Sequence, residues 1–185
     1  MSRKVLIVTG DGGDSYEALY AYQRFQEARW EPIVAAPSRR RLHMVIHDVE
    51  PGWETYMERP GHSIDADLAI TAVSAKDFAA LLILGGRAPE HLRNDASVLS
   101  LVREFASLEK CICAIGHGLQ VLTAAGLIKG RTVTCHPYVR VEVERGGGVY
   151  SPKLAIRDGK LITAQGWRSH PEFYREVFAC LEGTA

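Results

Sequence analysis

The chain has 185 residues, with 22 Lys and Arg offset by 22 Asp and Glu, so its formal charge is zero. That balance offers no basic surface for nucleic acid or an anionic membrane, and 46% hydrophobic against 24% charged residues is a globular composition, not a disordered one. No apolar run approaches the roughly 18–20 residues that span a bilayer, and the length is that of one domain, taken as residues 1–185. Met1-Ser2-Arg3-Lys4 leads straight into an apolar run, so no secretory leader is expected. Cys111, Cys113, Cys135 and Cys180 are few for this length and are expected to be reduced thiols of a cytoplasmic protein, not a disulfide framework.

Val5-Leu6-Ile7-Val8 is an unbroken aliphatic run and predicts a strand buried on both faces, as in a parallel sheet. A helix follows from about Tyr16 to Ala28, where Ala18, Leu19, Tyr22 and Phe25 fall at three-and-four spacing. Pro32-Ile33-Val34-Ala35-Ala36 is a second strand, which makes a right-handed crossover unit. Arg39-Arg40-Arg41 reads as a solvated loop. Residues 43–62 mix His, Asp, Glu, Trp and Pro without a period and read as a hairpin or excursion on one face. Leu81-Leu82-Ile83-Leu84 is a third strand, and Asn94 or Asp95 caps a helix running to about Ser107. Cys111-Ile112-Cys113-Ala114-Ile115 is the fourth strand, broken at Gly116-His117-Gly118 before a helix from about Leu119 to Ala125. A short strand is expected at Thr132-Val133-Thr134. Strands at Lys153 to Arg157 and Lys160 to Ala164 flank Asp158-Gly159, a two-residue hairpin turn. Ser169 and Glu172 form a capping box with Pro171 in the first turn, and the last helix runs to about Leu181 before Gly183.

In an open α/β sheet a ligand binds outside the carboxyl ends of the strands. The loops there are Gly10 to Glu17, Gly85 to Glu90 and Gly116 to Gly118, whose glycines let backbone approach a ligand closely. Amides around Gly86 and His117 can form an oxyanion hole. The strand-Gly116-His117-helix segment has the shape of a nucleophile elbow, yet Gly116 has no side chain to act as the nucleophile.

Gly85-Gly86-Arg87-Ala88-Pro89-Glu90, Ala114-Ile115-Gly116-His117-Gly118 and Gly130-Arg131-Thr132-Val133-Thr134 together resemble the ThiJ/PfpI superfamily. These are class I glutamine amidotransferase-like domains, among them intracellular proteases, glyoxalases and the parkinsonism-linked deglycase. His47-Asp48 and the segment from Pro51 to His62 are similar to the branch near the plant cofactor-independent glyoxalases. The resemblance implies a flavodoxin-like three-layer sandwich with a mostly parallel central sheet. It also implies a site in which Glu17 hydrogen-bonds an elbow Cys, His117 follows that Cys, His136 is a second histidine and Gly86 supplies an oxyanion amide. Glu90 matches a carboxylate that, in hexameric members, orients the histidine of a neighbouring subunit. Leu84 stands where a Pro often precedes the two glycines. The large departure is Gly116 in place of the nucleophilic Cys, which removes the family's hemithioacetal or acyl-enzyme step. The elbow residue ordinarily carries backbone strain, which glycine relieves.

Three functions compete. The first is a non-catalytic member that keeps a pocket for a small carbonyl-type ligand or serves assembly. The second is Cys-independent hydration or enolisation, with Glu17 as general base beside His117. The third is residual peptidase, glyoxalase or deglycase activity. Cys113 and Cys111 read as core residues, Cys180 as structural, and Cys135 as the one thiol near the pocket. His43, His47 and His62 read as an exposed or interface loop with no metal, and Trp53 and Tyr56 as a subunit contact. No phosphate-loop or dinucleotide fingerprint calls for a cofactor. Arg87 and Glu90 point to a homo-oligomer, a dimer or a hexamer.

Overall fold

The computed structural model describes residues 3–183, so Met1 and Ser2 lie outside the described residues. In chain order, β1 (Lys4–Val8), α1 (Ser15–Glu27), β2 (Glu31–Ala36), β3 (Arg41–Leu42), β4 (Val45–Asp48), β5 (Met57–Pro60), β6 (Ile64–Asp65) and β7 (Leu68–Ala69) form the first half. Then follow β8 (Ala80–Ile83), α2 (Ala88–Leu92), α3 (Ala96–Ser107), β9 (Cys111–Ile115), α4 (Leu119–Ala124), β10 (Thr132–Val133) and α5 (Arg140–Arg145). The chain closes with β11 (Val149–Tyr150), β12 (Ala155–Asp158), β13 (Leu161–Ala164) and α6 (His170–Glu182).

The central sheet has the order β12-β13-β9-β8-β1-β2-β7. All neighbours in it pair parallel except β12 with β13, which form the hairpin expected around Asp158-Gly159. Alternate residues of β1 feed opposite cores: Leu6 and Val8 meet Val98, Val102 and Phe105 of α3, while Val5 and Ile7 meet Ala18 and Phe25 of α1 and Phe173 and Val177 of α6. Burial on both faces is why these strands carry no polar alternation. The fold is the three-layer, flavodoxin-like α/β sandwich. From β1 the chain winds outward to β2 and β7, then returns to build β8, β9 and β13 on the other side. The switch point therefore falls between β1 and β8, and it gathers the three glycine-bearing loops at one end of the sheet.

The hairpin expected within residues 43–62 is present as β4 paired antiparallel with β5. Asp95 caps α3 by accepting from the N–H groups of Ser97 and Val98 at 2.8 and 3.4 Å. Three expectations need correction. Arg41 is not loop but pairs with Asp65 in a small ribbon, and Arg40 binds Asp11 at 2.7 Å. Ser169 makes no side-chain cap to α6, because it closes the tight turn Trp167–Ser169 with φ −93° and ψ 4°, not the extended geometry a capping hydroxyl needs. Cys111 and Cys180 are not reduced thiols but a disulfide. β9 starts where the last turn of α6 crosses it, bringing the Cα atoms to 6.4 Å across 69 residues of sequence, within bridging range.

Candidate functional site

Asp14 precedes α1 in extended backbone, and its Oδ1 accepts from the N–H groups of Tyr16 and Glu17 at 2.9 and 3.0 Å. This cap fixes the first turn so that Glu17 points inward, where Oε2 accepts from the Gly85 N–H at 2.7 Å. Glu17 is 3% exposed. Burial, aided by the negative charge of Asp14 and opposed by the Gly85 N–H, pushes its pKa up to about 8. The carboxyl is therefore protonated at neutral pH and offers a donor hydrogen.

At the end of β9, Gly116 has φ +59°, a left-handed conformation that costs any other residue strain. There is room for a side chain even so: an added Cβ would stand 3.6 Å from Glu17 Oε1 and 3.7 Å from the Gln165 carbonyl oxygen. The small space beside Glu17 is thus bounded by hydrogen-bonding groups. His117 follows, 8% exposed, its pKa lowered to about 4 by burial and then by the charges of His136 and His47. Its ring stacks on that of His136 at 5.0 Å. His136 donates its N–H to the Gly116 carbonyl at 3.4 Å, and its Nδ1 accepts from the Tyr138 N–H at 3.3 Å. With Nδ1 accepting, the His136 ring hydrogen sits on Nε2.

Neither free thiol is placed or ionised to act as a nucleophile in this space. Cys113 is buried within β9, and desolvation drives its pKa far above the ordinary range. Cys135 is fully buried and is pushed up to about 12 by burial, with the Glu142 charge adding to it. Neither is a thiolate at neutral pH.

The hairpin of β4 and β5 closes one wall, and here the structure corrects the sequence reading. His47 is not an exposed loop residue. Its Nδ1 lies 2.9 Å from Asp14 Oδ2 and its Nε2 3.2 Å from Glu58 Oε1, with 12% of the side chain exposed. Burial disfavours its charge, but the hydrogen bonds and charges of Asp14 and Glu58 outweigh that and raise its pKa. Glu58 is in turn held by Arg87 Nε at 2.5 and 2.6 Å, so Arg87 is engaged within the chain. Tyr56 stands edge-on to His47, His117 and His136 at 4.7, 6.1 and 6.0 Å, inside the wall where a subunit contact was expected.

These groups line a pocket of about 560 Å³ that also takes in Gly86, Pro137 and Gln165. Gly86 is required there, since a Cβ would come within 2.5 Å of the Asp14 nitrogen and the Gly12 carbonyl oxygen. Glu90 is not brought in: it is exposed on α2, and its carbonyl oxygen accepts from the Asn94 amide at 2.8 Å. Among the described residues no three His, Cys, Asp or Glu side chains form a metal-binding group. Glu17, Gly86, Gly116, His117 and His136 therefore converge as expected, while Asp14, His47 and Tyr56 are additions. Asp14 carried a signal, an acid immediately before a helix. His47 and Tyr56 lie in the segments that resemble the plant glyoxalase branch, but their place in the site depends on where the hairpin folds back.

Residues 3–179 match the family model described as the DJ-1/PfpI family. The chain is 36% identical over 187 residues to Protein DJ-1 homolog D of Arabidopsis thaliana, covering 97% of this chain and 48% of that protein, so it spans about half of that relative's length. It is 28% identical to Deglycase PH1704 of Pyrococcus horikoshii, covering 88% of this chain and 89% of the other. A ThiJ/PfpI domain protein from Brachyspira murdochii superposes with a TM-score of 0.85 at 20% identity, covering 100% and 99% of the two chains.

Proposed function

Because the chain belongs to the DJ-1/PfpI family, we propose that its pocket binds a small carbonyl compound, as expected of a glyoxalase- or deglycase-like site, and holds it by hydrogen bonds without forming a covalent bond. The observation that carries this reading is the pairing of Gly116, which brings no nucleophile, with Glu17, whose buried carboxyl is protonated and faces the space beside it. A protonated carboxyl donates to a carbonyl oxygen, as a thiol cannot do with comparable strength. His117 and the His136 Nε2–H stand beside it on the floor. Without a thiolate there is no hemithioacetal and no acyl-enzyme.

Titration with hydroxyacetone, followed by ligand-observed NMR, tests the reading. Affinity is expected to hold at neutral pH and to fall as pH rises through about 8, where Glu17 loses its proton. Glu17→Gln keeps both the donor and the acceptor for Gly85 and should bind with no such fall; Glu17→Leu should lose binding. Affinity that ignores both substitutions would show that Glu17 does not hold the ligand.

A further inference from the structure

The floor of the pocket is polar, but its mouth carries large apolar side chains. Val49, Leu154 and Trp167 are 73%, 47% and 38% exposed, and all three line this one pocket. They come from three separate segments: the hairpin of β4 and β5, the turn before β12 and the turn after β13. Large apolar side chains left open to water at one concave place mark a binding surface. Trp167 is also held in position. Tyr16 packs against it edge-on at 5.8 Å and 75°, and the Arg168 guanidinium lies over its ring at 5.0 Å. A ring fixed from two sides presents a flat plate at little entropic cost on binding.

The size of the pocket agrees. At roughly 30 Å³ per water-sized group, a three-carbon carbonyl fills on the order of 100–150 Å³, whereas the pocket holds about 560 Å³. The floor presents Glu17 and His117 to a carbonyl, while Asp14 is committed to His47 and the α1 cap. Arg168 stands at the mouth, exposed, over Trp167.

We infer that the ligand is a ketone or aldehyde bearing a flat apolar substituent, with its carbonyl on the floor and an aryl or comparable group against Trp167 and Leu154. This rests on the carbonyl-binding reading above and adds the part of the ligand that faces away from Glu17.

Three probes on the full chain separate the two claims: hydroxyacetone, phenacyl alcohol, which carries the same head with a phenyl group, and phenethyl alcohol, which lacks the carbonyl. Phenacyl alcohol is expected to bind at least about tenfold tighter than hydroxyacetone, the scale on which apolar pockets distinguish substituents. Trp167→Leu and, independently, Leu154→Ala should remove most of that preference, with melting curves showing that each variant is folded; a preference that survives both overturns the inference. Equal affinity for the two carbonyl probes overturns the inference and leaves the carbonyl reading standing. Phenethyl alcohol binding as tightly as phenacyl alcohol overturns the carbonyl reading while the apolar mouth stands. If none of the three binds, both fall.

Discussion

Gly116 and Glu17 lie side by side in the pocket. The glycine occupies a conformation that a side chain would strain by about 1–3 kcal/mol, and the space beside it is large enough for one. Gly116→Cys should therefore fold with a lower melting temperature, and Glu17, donating to the new sulfur, should lower the thiol pKa below its ordinary value of about 8.5. Melting curves and thiol titration check both; an ordinary thiol in an equally stable protein would remove the argument. Glu17 has its own signature. A carboxyl whose pKa is raised on folding stabilises the folded state most below its unfolded value, and that contribution is lost as pH rises from about 4.5 to about 8. Glu17→Gln should flatten this limb of the stability profile. The glycine at the elbow was legible in the sequence, since an aliphatic run breaks there before a helix. The protonation of Glu17 was not, because it follows from burial between segments far apart in the chain.

Two elements behave in ways that local pattern does not show. The helix α6 is tied to the start of β9 by Cys111 and Cys180, which closes a loop of 69 residues. Cross-links of that span stabilise by about 2–4 kcal/mol, so Cys180→Ser, or a reductant, should lower the melting temperature, and the reductant should have no further effect on the variant. A melting temperature insensitive to both would mean that the cross-link does not form. The wall hairpin hangs on His47, which bridges Asp14 and Glu58. His47→Gln should speed hydrogen exchange in residues 45–60 and leave β13 protected. Since the charge of His47 is favoured on folding, wild-type hairpin exchange should also quicken as pH rises through its raised pKa. Each helix cap and hairpin turn was a local signal, and Asp95 and Asp158-Gly159 behaved as read. Ser169 did not, because the chain must turn sharply at Trp167 to bring α6 back across the sheet, and that turn sets its backbone angles.

The whole molecule carries equal numbers of acids and bases, so its pH response comes from particular buried groups and not from net repulsion. His117 and His170 are 8% and 2% exposed, and burial lowers the pKa of each to about 4, while neither ring nitrogen of His170 has a partner within the described residues. A histidine whose pKa is lowered on folding contributes stability above its unfolded value of about 6.5, and that is lost as pH falls toward 4, by at most about 3 kcal/mol for each group. With Glu17 acting in the opposite sense at higher pH, stability should peak near pH ~6.5, and His170→Phe should flatten the acid limb alone. Denaturant midpoints across pH measure this. The sheet and its switch point were readable because strands buried on both faces announce themselves as aliphatic runs, and the resemblance carried the site's floor. The packing of the hairpin against Asp14, the apolar mouth and the disulfide join residues far apart in sequence.

The pocket is proposed to bind a carbonyl without covalent turnover, and the rate of methylglyoxal consumption by the wild-type chain beside Glu17→Gln and buffer tests this. The same rate is expected in all three; consumption by the wild type that Glu17→Gln abolishes would contradict a pocket that only binds.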